Sequence, residues 1–71
     1  MVNISKLKEN ISDSGITMSA LANNAKIERT TLYNRLAGIG EFTASEIDGL
    51  SRALRLTKTQ RDDIFFAERL N

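Results

Sequence analysis

The sequence predicts an all-α fold of five short helices, and three observations support this prediction. Apolar residues recur at spacings of three and four, and no segment alternates polar and apolar residues over four or more positions. Proline is absent, and three of the four glycines stand where a helix is expected to end. Two capping boxes, Thr43-Ala-Ser-Glu46 and Thr57-Lys-Thr-Gln60, mark the starts of two helices. A chain of 71 residues is predicted to form a single domain over residues 1–71.

The first helix is predicted to run from about Ile4 to Ser14. Asn3 can cap it by accepting a hydrogen bond from a free backbone N–H group. Gly15 can adopt the left-handed conformation that ends a helix. One apolar stripe along this helix is formed by Ile4, Leu7 and Ile11.

Two short helices with a tight corner between them are predicted for residues 17–38. The first begins after Thr17, a good capping residue, and its buried side is Leu21, Ala22 and Ala25. Ile27 is expected to be buried at the corner.

The next helix is predicted from about Arg29 to Ala37. Leu32 and Leu36 are four residues apart, so they face the core together and leave a polar side that faces outward.

The last two helices follow the capping boxes. The fourth carries the core stripe Ile47, Leu50 and Leu54, with Gly49 as a weak point in its middle. The fifth is predicted from about Lys58 to Arg69. Its apolar residues cannot share one narrow stripe, so one aromatic side chain is expected to remain outside: Ile64, Phe65, Phe66, Ala67 and Leu70.

The composition argues against catalysis, against a cofactor and against a membrane protein. Histidine and cysteine are absent, which removes the commonest general base, thiolate metal sites and disulfides. No apolar run approaches the ~20 residues of a membrane helix, and no charged-then-apolar leader is present. We therefore expect a cytoplasmic, non-enzymatic protein that binds no small-molecule substrate and no metal. The net charge of only +1 means that any nucleic-acid contact must come from one face.

The segment Thr17–Gly38 resembles the helix-turn-helix of lambda-repressor and Cro-type regulators, the XRE family. Phe42–Ile47 and Ala53–Leu56 resemble the fourth helix of that family and its exit, so the resemblance covers nearly the whole chain. The chain is similar to the small lysis–lysogeny switch regulators of temperate phages of Gram-positive bacteria, of Cro-like or modulator-of-repression type. The positions that match the helix-turn-helix pattern are Thr17, Leu21, Ala22, Ala25, Ile27, Arg29, Thr30, Thr31, Leu32, Leu36 and Gly38.

The resemblance implies a lambda-repressor-like DNA-binding domain whose second and third helices bind operator DNA. Two positions depart from the family pattern, because Lys26 and Arg55 stand where glycine is usual. A lysine at the corner must adopt a left-handed conformation, at a cost of roughly 1 kcal/mol, or the corner must differ.

In this interpretation the third helix lies in the major groove and reads base edges. Arg29 can pair with guanine O6 and N7, and Asn34 with adenine N6 and N7. Thr30 and Thr31 can offer a hydroxyl or a methyl group, and Tyr33 can reach a base or a phosphate.

Phosphate contacts, which position a protein without specifying sequence, are expected from three other places. These are the Lys26 side chain, the Arg35 side chain and the backbone N–H groups at the start of the second helix, Thr17–Ser19. Each candidate base-contact or phosphate-contact residue also has an alternative role as an ordinary solvated, capping or packing residue.

Phe66 and Leu70 leave two alternatives open. Either both pack on the core, or they form an exposed apolar strip that contacts a second copy of the chain or a different regulator. Two functions follow from the sequence and its resemblance to this family. One is a sequence-specific DNA-binding transcriptional regulator, and the other is an antirepressor that acts mainly by binding a partner phage repressor.

Overall fold

Five α-helices joined by short turns form the described part of the chain, which in the computed structural model is residues 1–67. No strand occurs within those residues, so the predicted all-α class is confirmed. No helix among them combines the length and the apolar character that crossing a bilayer requires. The helices are α1 (Ile4–Ser14), α2 (Met18–Ala25), α3 (Arg29–Leu36), α4 (Ala44–Ala53) and α5 (Lys58–Phe65).

Polar side chains cap the first turns of four helices, as the sequence predicts. At α4 the Thr43 hydroxyl oxygen accepts the Glu46 N–H at 3.1 Å, and the Glu46 carboxylate accepts the Thr43 N–H at 3.0 Å. The same reciprocal pair joins Thr57 and Gln60 at α5. Each cap satisfies an N–H group that has no partner within its helix and typically contributes ~1 kcal/mol. The other two caps are Asn3 at α1 and Thr17 at α2.

A single cluster of buried apolar side chains joins all five helices. Four leucines with an exposed fraction of 0%, one from each of α1 to α4, form its centre: Leu7, Leu21, Leu32 and Leu50. Ile64 and Phe65 close it from α5. The remaining buried members are Ile11, Ala22, Ala25 and Leu36. The predicted inward faces of α2 and α3 are therefore confirmed. Of the predicted stripe on α1, Leu7 and Ile11 are buried, whereas Ile4 is half-buried and lies outside the cluster.

Three residues predicted to be buried are only half-buried, because they lie at the edge of this cluster. Ile47 and Leu54 flank Leu50 on α4 and pack against the core from the side. Ile27 at the corner does the same, and its N–H donates to the Ala22 carbonyl at 2.9 Å. The corner is therefore held by a backbone hydrogen bond as well as by apolar contact.

Helices α2 and α4 come close together at Gly49. A Cβ atom at this position would overlap the carbonyl oxygen of Ala25 and lie 3.1 Å from its carbonyl carbon. The sequence indicates only a weak point of low helix propensity here. The structure shows that the missing side chain is what lets the two backbones meet.

The corner between α2 and α3 is built on a left-handed residue. Lys26 has φ 59° and ψ 43°, and its N–H donates to the carbonyls of Ala22 and Asn23. The expectation that a lysine at this position adopts the left-handed conformation is confirmed. Arg55, which follows α4, also has a positive φ of 53°. Both residues thus occupy a conformation that glycine adopts more readily.

We expect Lys26→Gly to raise the free energy of unfolding by roughly 0.5 to 1 kcal/mol. Glycine avoids the ~1–2 kcal/mol cost of the left-handed conformation but adds freedom to the unfolded chain, which offsets part of the gain. Urea denaturation followed by circular dichroism measures the change. Lys8→Gly within α1 is the control and should lose about 1 kcal/mol. Equal destabilisation of both variants would contradict the assigned corner.

Helix α5 is shorter than predicted. It ends at Phe65, and Phe66 leaves the helical region with φ −124° and ψ 30°. The Ala67 carbonyl then accepts a hydrogen bond from the amino group of Met1 at 3.3 Å, which ties this end to the start of the chain. The predicted helix to residue 69 is therefore wrong at residues 66 and 67. Residues 68–71, including the candidate contact residue Leu70, lie outside the described residues.

Candidate functional site

Helix α3 has a buried side and an exposed side. Leu32 and Leu36 point into the core, with exposed fractions of 0% and 8%. Residues one helical turn apart share a face, so the exposed side chains of this helix form one continuous surface. We call this surface the α3 outer face, and its residues are Arg29, Thr30, Tyr33 and Asn34. It presents a guanidinium, a hydroxyl, a phenol and an amide to solvent.

The guanidinium of Arg29 is held by the side chain of Ser19, a residue for which the sequence predicts only a role of the backbone N–H group. Arg29 Nη1 donates to Ser19 Oγ at 2.8 Å. Ser19 lies in the first turn of α2, so this bond bridges the N-terminal ends of α2 and α3. An arginine has five N–H donors, so the others remain available to a second acceptor. The only sequence signal for Ser19 is its position in the first turn of α2. Whether its hydroxyl meets Arg29 depends on the angle between α2 and α3.

Arg35 does not belong to the α3 outer face. Its Nε donates to Glu46 Oε1 at 3.1 Å and its Nη2 to Oε2 at 3.5 Å, so α3 and α4 are joined by a two-point ion pair. Only 21% of the Arg35 side chain and 15% of the Glu46 side chain are exposed. Nη1 also donates to the Ile39 carbonyl at 3.3 Å. The guanidinium predicted to contact phosphate is therefore engaged in holding the connection that follows α3.

Gly40 makes room for this arrangement. Its φ is 76°, and a Cβ atom there would overlap Nη1 of Arg35. The glycine thus supplies both the left-handed turn and the space that the guanidinium occupies. A side chain at residue 40 would require Nη1 of Arg35, which donates to the Ile39 carbonyl, to move.

The three remaining candidate residues lie around the α3 outer face. Lys26 is exposed at the corner that precedes α3. Thr17 is exposed at the start of α2, where its hydroxyl oxygen accepts the Ala20 N–H at 3.1 Å. Thr31 is half-buried on the flank of α3, between the outer face and the core. Lys26 therefore extends the polar surface, whereas the side chains of Thr17 and Thr31 are partly committed to structure.

The charge on this surface is small. Lys26 and Arg29 are positive, and the exposed Glu28 between them is negative. Glu28 is the N-cap residue of α3 and makes no capping hydrogen bond. A polyanion would therefore meet few cations here, and recognition must depend mainly on the directional groups of the α3 outer face.

A second candidate surface surrounds Phe66. This side chain is 53% exposed, whereas its neighbour Phe65 is 3% exposed. Phe65 packs edge-to-face on Phe42, with ring centroids 5.4 Å apart. The prediction that one aromatic of the last helix remains outside is therefore confirmed. Phe66 carries the guanidinium carbon of Arg61 at 5.9 Å from its ring centroid.

The two surfaces differ in chemistry. The α3 outer face is polar and offers hydrogen-bond donors and acceptors, whereas the surface around Phe66 is largely apolar.

Within residues 1–67, no three histidine, cysteine, aspartate or glutamate side chains come together in a way that could hold a metal ion. Comparison of the chain with protein-family models, with curated proteins and with solved structures finds no match.

Proposed function

We propose that this protein is a sequence-specific regulator of transcription that binds double-stranded DNA, with α2 and α3 acting as a helix-turn-helix. The observation that carries this proposal is the α3 outer face. Its four polar residues are exposed on a helix whose opposite side, Leu32 and Leu36, is anchored in the core. A helix with side chains is ~10–12 Å across, and the major groove is ~12 Å wide. The helix therefore fits the groove with this side facing the bases.

The residue types on this face match the groups that base edges present. Arg29 can donate two hydrogen bonds to guanine O6 and N7, and Asn34 can pair with adenine N6 and N7. Thr30 offers a hydroxyl or a methyl group, and Tyr33 is long enough to reach a base or a phosphate. Lys26 at the corner suits a phosphate, which would set the register of the helix.

The bond from Arg29 to Ser19 supports the same proposal. A free arginine side chain loses up to ~2 kcal/mol of rotamer entropy when it is fixed. The contact with Ser19 restricts the guanidinium before DNA arrives, so part of that cost falls on folding instead of binding. This preorganisation favours a recognition role over an idle surface charge.

The resemblance to phage regulators gives the proposal its biological setting. A small domain that occupies an operator blocks access to the promoter and so sets one state of a lysis–lysogeny switch. The DNA partner would be an operator, and the protein would act in the cytoplasm of the bacterial host.

In-vitro selection from random duplex DNA tests the proposal without knowledge of the operator. The full chain is expected to enrich one motif, and gel-shift titration should show tighter binding to that duplex than to a scrambled duplex. With about two cations per copy, the logarithmic salt slope should be near −2 per bound copy. Failure to enrich any motif, at low salt and at high protein concentration, would contradict DNA recognition.

A second function is favoured by the exposed ring of Phe66, which the DNA-binding proposal does not use. In this alternative the protein is an antirepressor that binds a partner phage repressor. A gel shift with a repressor and its operator separates the two functions. Release or retardation that requires the repressor, without binding by the chain alone, would identify the antirepressor.

A further inference from the structure

The connection that follows α3 carries an exposed isoleucine next to the α3 outer face. Ile39 is 59% exposed, and Tyr33, in the second half of α3, is 50% exposed. We propose that Ile39 is a specificity-determining residue, which packs on the C5-methyl group of a thymine in the bound duplex. This inference rests on the proposed DNA recognition, and it adds the base that the C-terminal end of the α3 outer face selects.

The end of α3 is a complete Schellman motif. Ala37 is the C-cap residue, and Gly38 follows it with a φ of 86°. The Gly38 N–H donates to the Arg35 carbonyl at 3.1 Å, and the Ile39 N–H donates to the Asn34 carbonyl at 2.8 Å. These are the two hydrogen bonds that define the motif. The position of Ile39 is therefore set by the end of the helix.

The motif places the Ile39 side chain at the C-terminal end of the α3 outer face. A residue at this position frequently packs on the last full turn of its helix, here on the side of Tyr33 and Asn34. Gly38 and Gly40 line the groove beside the N-terminal segment, whereas Ile39 between them does not. The Ile39 side chain thus points away from that groove and toward the side of α3 that carries Tyr33 and Asn34.

The backbone of Ile39 is fixed at both of its polar groups. Its N–H is bonded to Asn34, and its carbonyl accepts a hydrogen bond from Nη1 of Arg35 at 3.3 Å. Arg35 is itself paired with Glu46, and both of these side chains are largely buried. A β-branched side chain on a fixed backbone has little rotamer freedom to lose on binding. Ile39 is therefore preorganised for a contact.

Closing the helix end does not account for the whole Ile39 side chain. A residue with only that role would be covered by its helical neighbours, yet Ile39 and Tyr33 both remain at least half exposed. Among residues 1–67, four large hydrophobic residues are exposed, and these are two of them. This end of α3 therefore keeps apolar surface available to whatever the α3 outer face binds.

The chemistry of the major groove selects the partner of this apolar surface. The C5-methyl group of thymine is the apolar group that base edges present there. Asn34, on the same side of α3, can pair with adenine N6 and N7, and every adenine is paired with a thymine. One A·T pair, or two neighbouring pairs, can thus satisfy both Asn34 and Ile39. A phosphate is a poorer partner, because the isoleucine side chain offers it neither a charge nor a donor.

Replacing single thymines by deoxyuridine in the duplex that the full chain selects tests the proposal. Uracil pairs as thymine does but lacks the methyl group. At one thymine per bound copy we expect affinity to fall about fourfold, the effect of exposing one buried methyl group. This response should disappear in Ile39→Ala and persist in Ile39→Val, which keeps a branched apolar side chain. A methyl group contacted by another residue would respond equally in all three proteins.

The salt dependence of binding separates an apolar contact from a phosphate contact. Ile39→Ala should weaken binding to the selected duplex severalfold without changing the logarithmic salt slope, because a methyl group releases no counterion. Lys26→Ala is the comparison and should reduce the slope by about one. Circular dichroism should show that both variants keep their helices, since both side chains are exposed.

The outcomes distinguish this inference from the proposed function. If the chain selects a motif but every response to deoxyuridine survives in Ile39→Ala, or no thymine responds, the contact is overturned and DNA recognition stands. Unchanged affinity of Ile39→Ala for the selected duplex would also overturn it and assign Ile39 to a protein partner or to none. A chain that selects no motif at all would overturn both the contact and the proposed function.

Discussion

Replacing Gly49 with alanine is expected to lower the free energy of unfolding by about 1–3 kcal/mol, the usual range for overpacking a tight contact. Helix propensity alone predicts the opposite sign, because alanine is about 1 kcal/mol better than glycine within a helix. The packing effect should win because the added methyl group would overlap the carbonyl oxygen of Ala25. That atom belongs to the backbone and cannot rotate away. Only a separation of α2 from α4 relieves the overlap.

Urea denaturation of the unmodified chain and of Gly49→Ala measures this change in the free energy of unfolding. Arg52→Ala is the control, since it also places alanine in α4 but at a side chain that is 81% exposed. Arg52→Ala should change stability by no more than about 0.5 kcal/mol. A stabilising Gly49→Ala would mean that propensity dominates and that α2 and α4 do not meet as closely as described.

The close approach at Gly49 also bears on the candidate site. Ala25 is the last residue of α2, and the left-handed Lys26 follows it directly. The contact with α4 therefore fixes the point from which the chain turns into α3. On the other side, the ion pair between Arg35 and Glu46 joins α3 to the start of α4. Helix α4 thus supports α3 on both sides, at the corner that precedes it and near its last turn, and this support sets the orientation of the α3 outer face.

The starts of the helices could be predicted because their signals are local. The Thr43 hydroxyl and the Glu46 carboxylate each accept the backbone N–H of the other residue, across only three residues. The bond from the Lys6 N–H to Asn3 Oδ1 has the same span. Spacing in the sequence is enough to specify such pairs. The predicted span of α1 agrees with the structure at both ends for this reason.

The features that could not be predicted depend on pairs distant in the sequence. Ser19 and Arg29 are ten residues apart, and Arg35 and Glu46 are eleven apart. Their contacts require the angles between helices, which no local pattern specifies. An arginine on a polar helix suggests a phosphate contact from sequence alone. Only the position of Glu46 shows that the guanidinium of Arg35 turns toward α4 instead.

The predicted end of α5 was wrong for a related reason. Residues 64–67 are all apolar and contain no glycine, so nothing in their order marks a stop. The helix ends where Phe66 leaves the helical region and the Ala67 carbonyl meets the amino group of Met1. That contact joins opposite ends of the chain, beyond the reach of local reasoning.

The largest effect on DNA recognition is expected from Arg29→Ala. If α3 reads bases as proposed, loss of a bidentate arginine should cost about 1–3 kcal/mol of specific affinity. The loss should fall mainly on the guanine that Arg29 contacts, so a repeated selection should show relaxed preference at one position. Arg52→Ala removes a cation from α4, outside the proposed recognition surface, and serves as the control. Unchanged affinity of Arg29→Ala for the selected duplex would refute the assigned role.

Ser19→Ala distinguishes a positioned arginine from one that is merely present. Removing the hydroxyl leaves the Arg29 side chain intact but free to move, so specific affinity should fall by about 0.5–1 kcal/mol, the net worth of one hydrogen bond. In the Arg29→Ala background the same change should cost nothing, because there is no guanidinium left to hold. A double-mutant cycle measures this difference as a coupling energy. Equal weakening by Ser19→Ala in the unmodified chain and in the Arg29→Ala variant would mean that Ser19 contacts DNA directly. The hydrogen bond between Arg29 and Ser19 would then have no part in recognition.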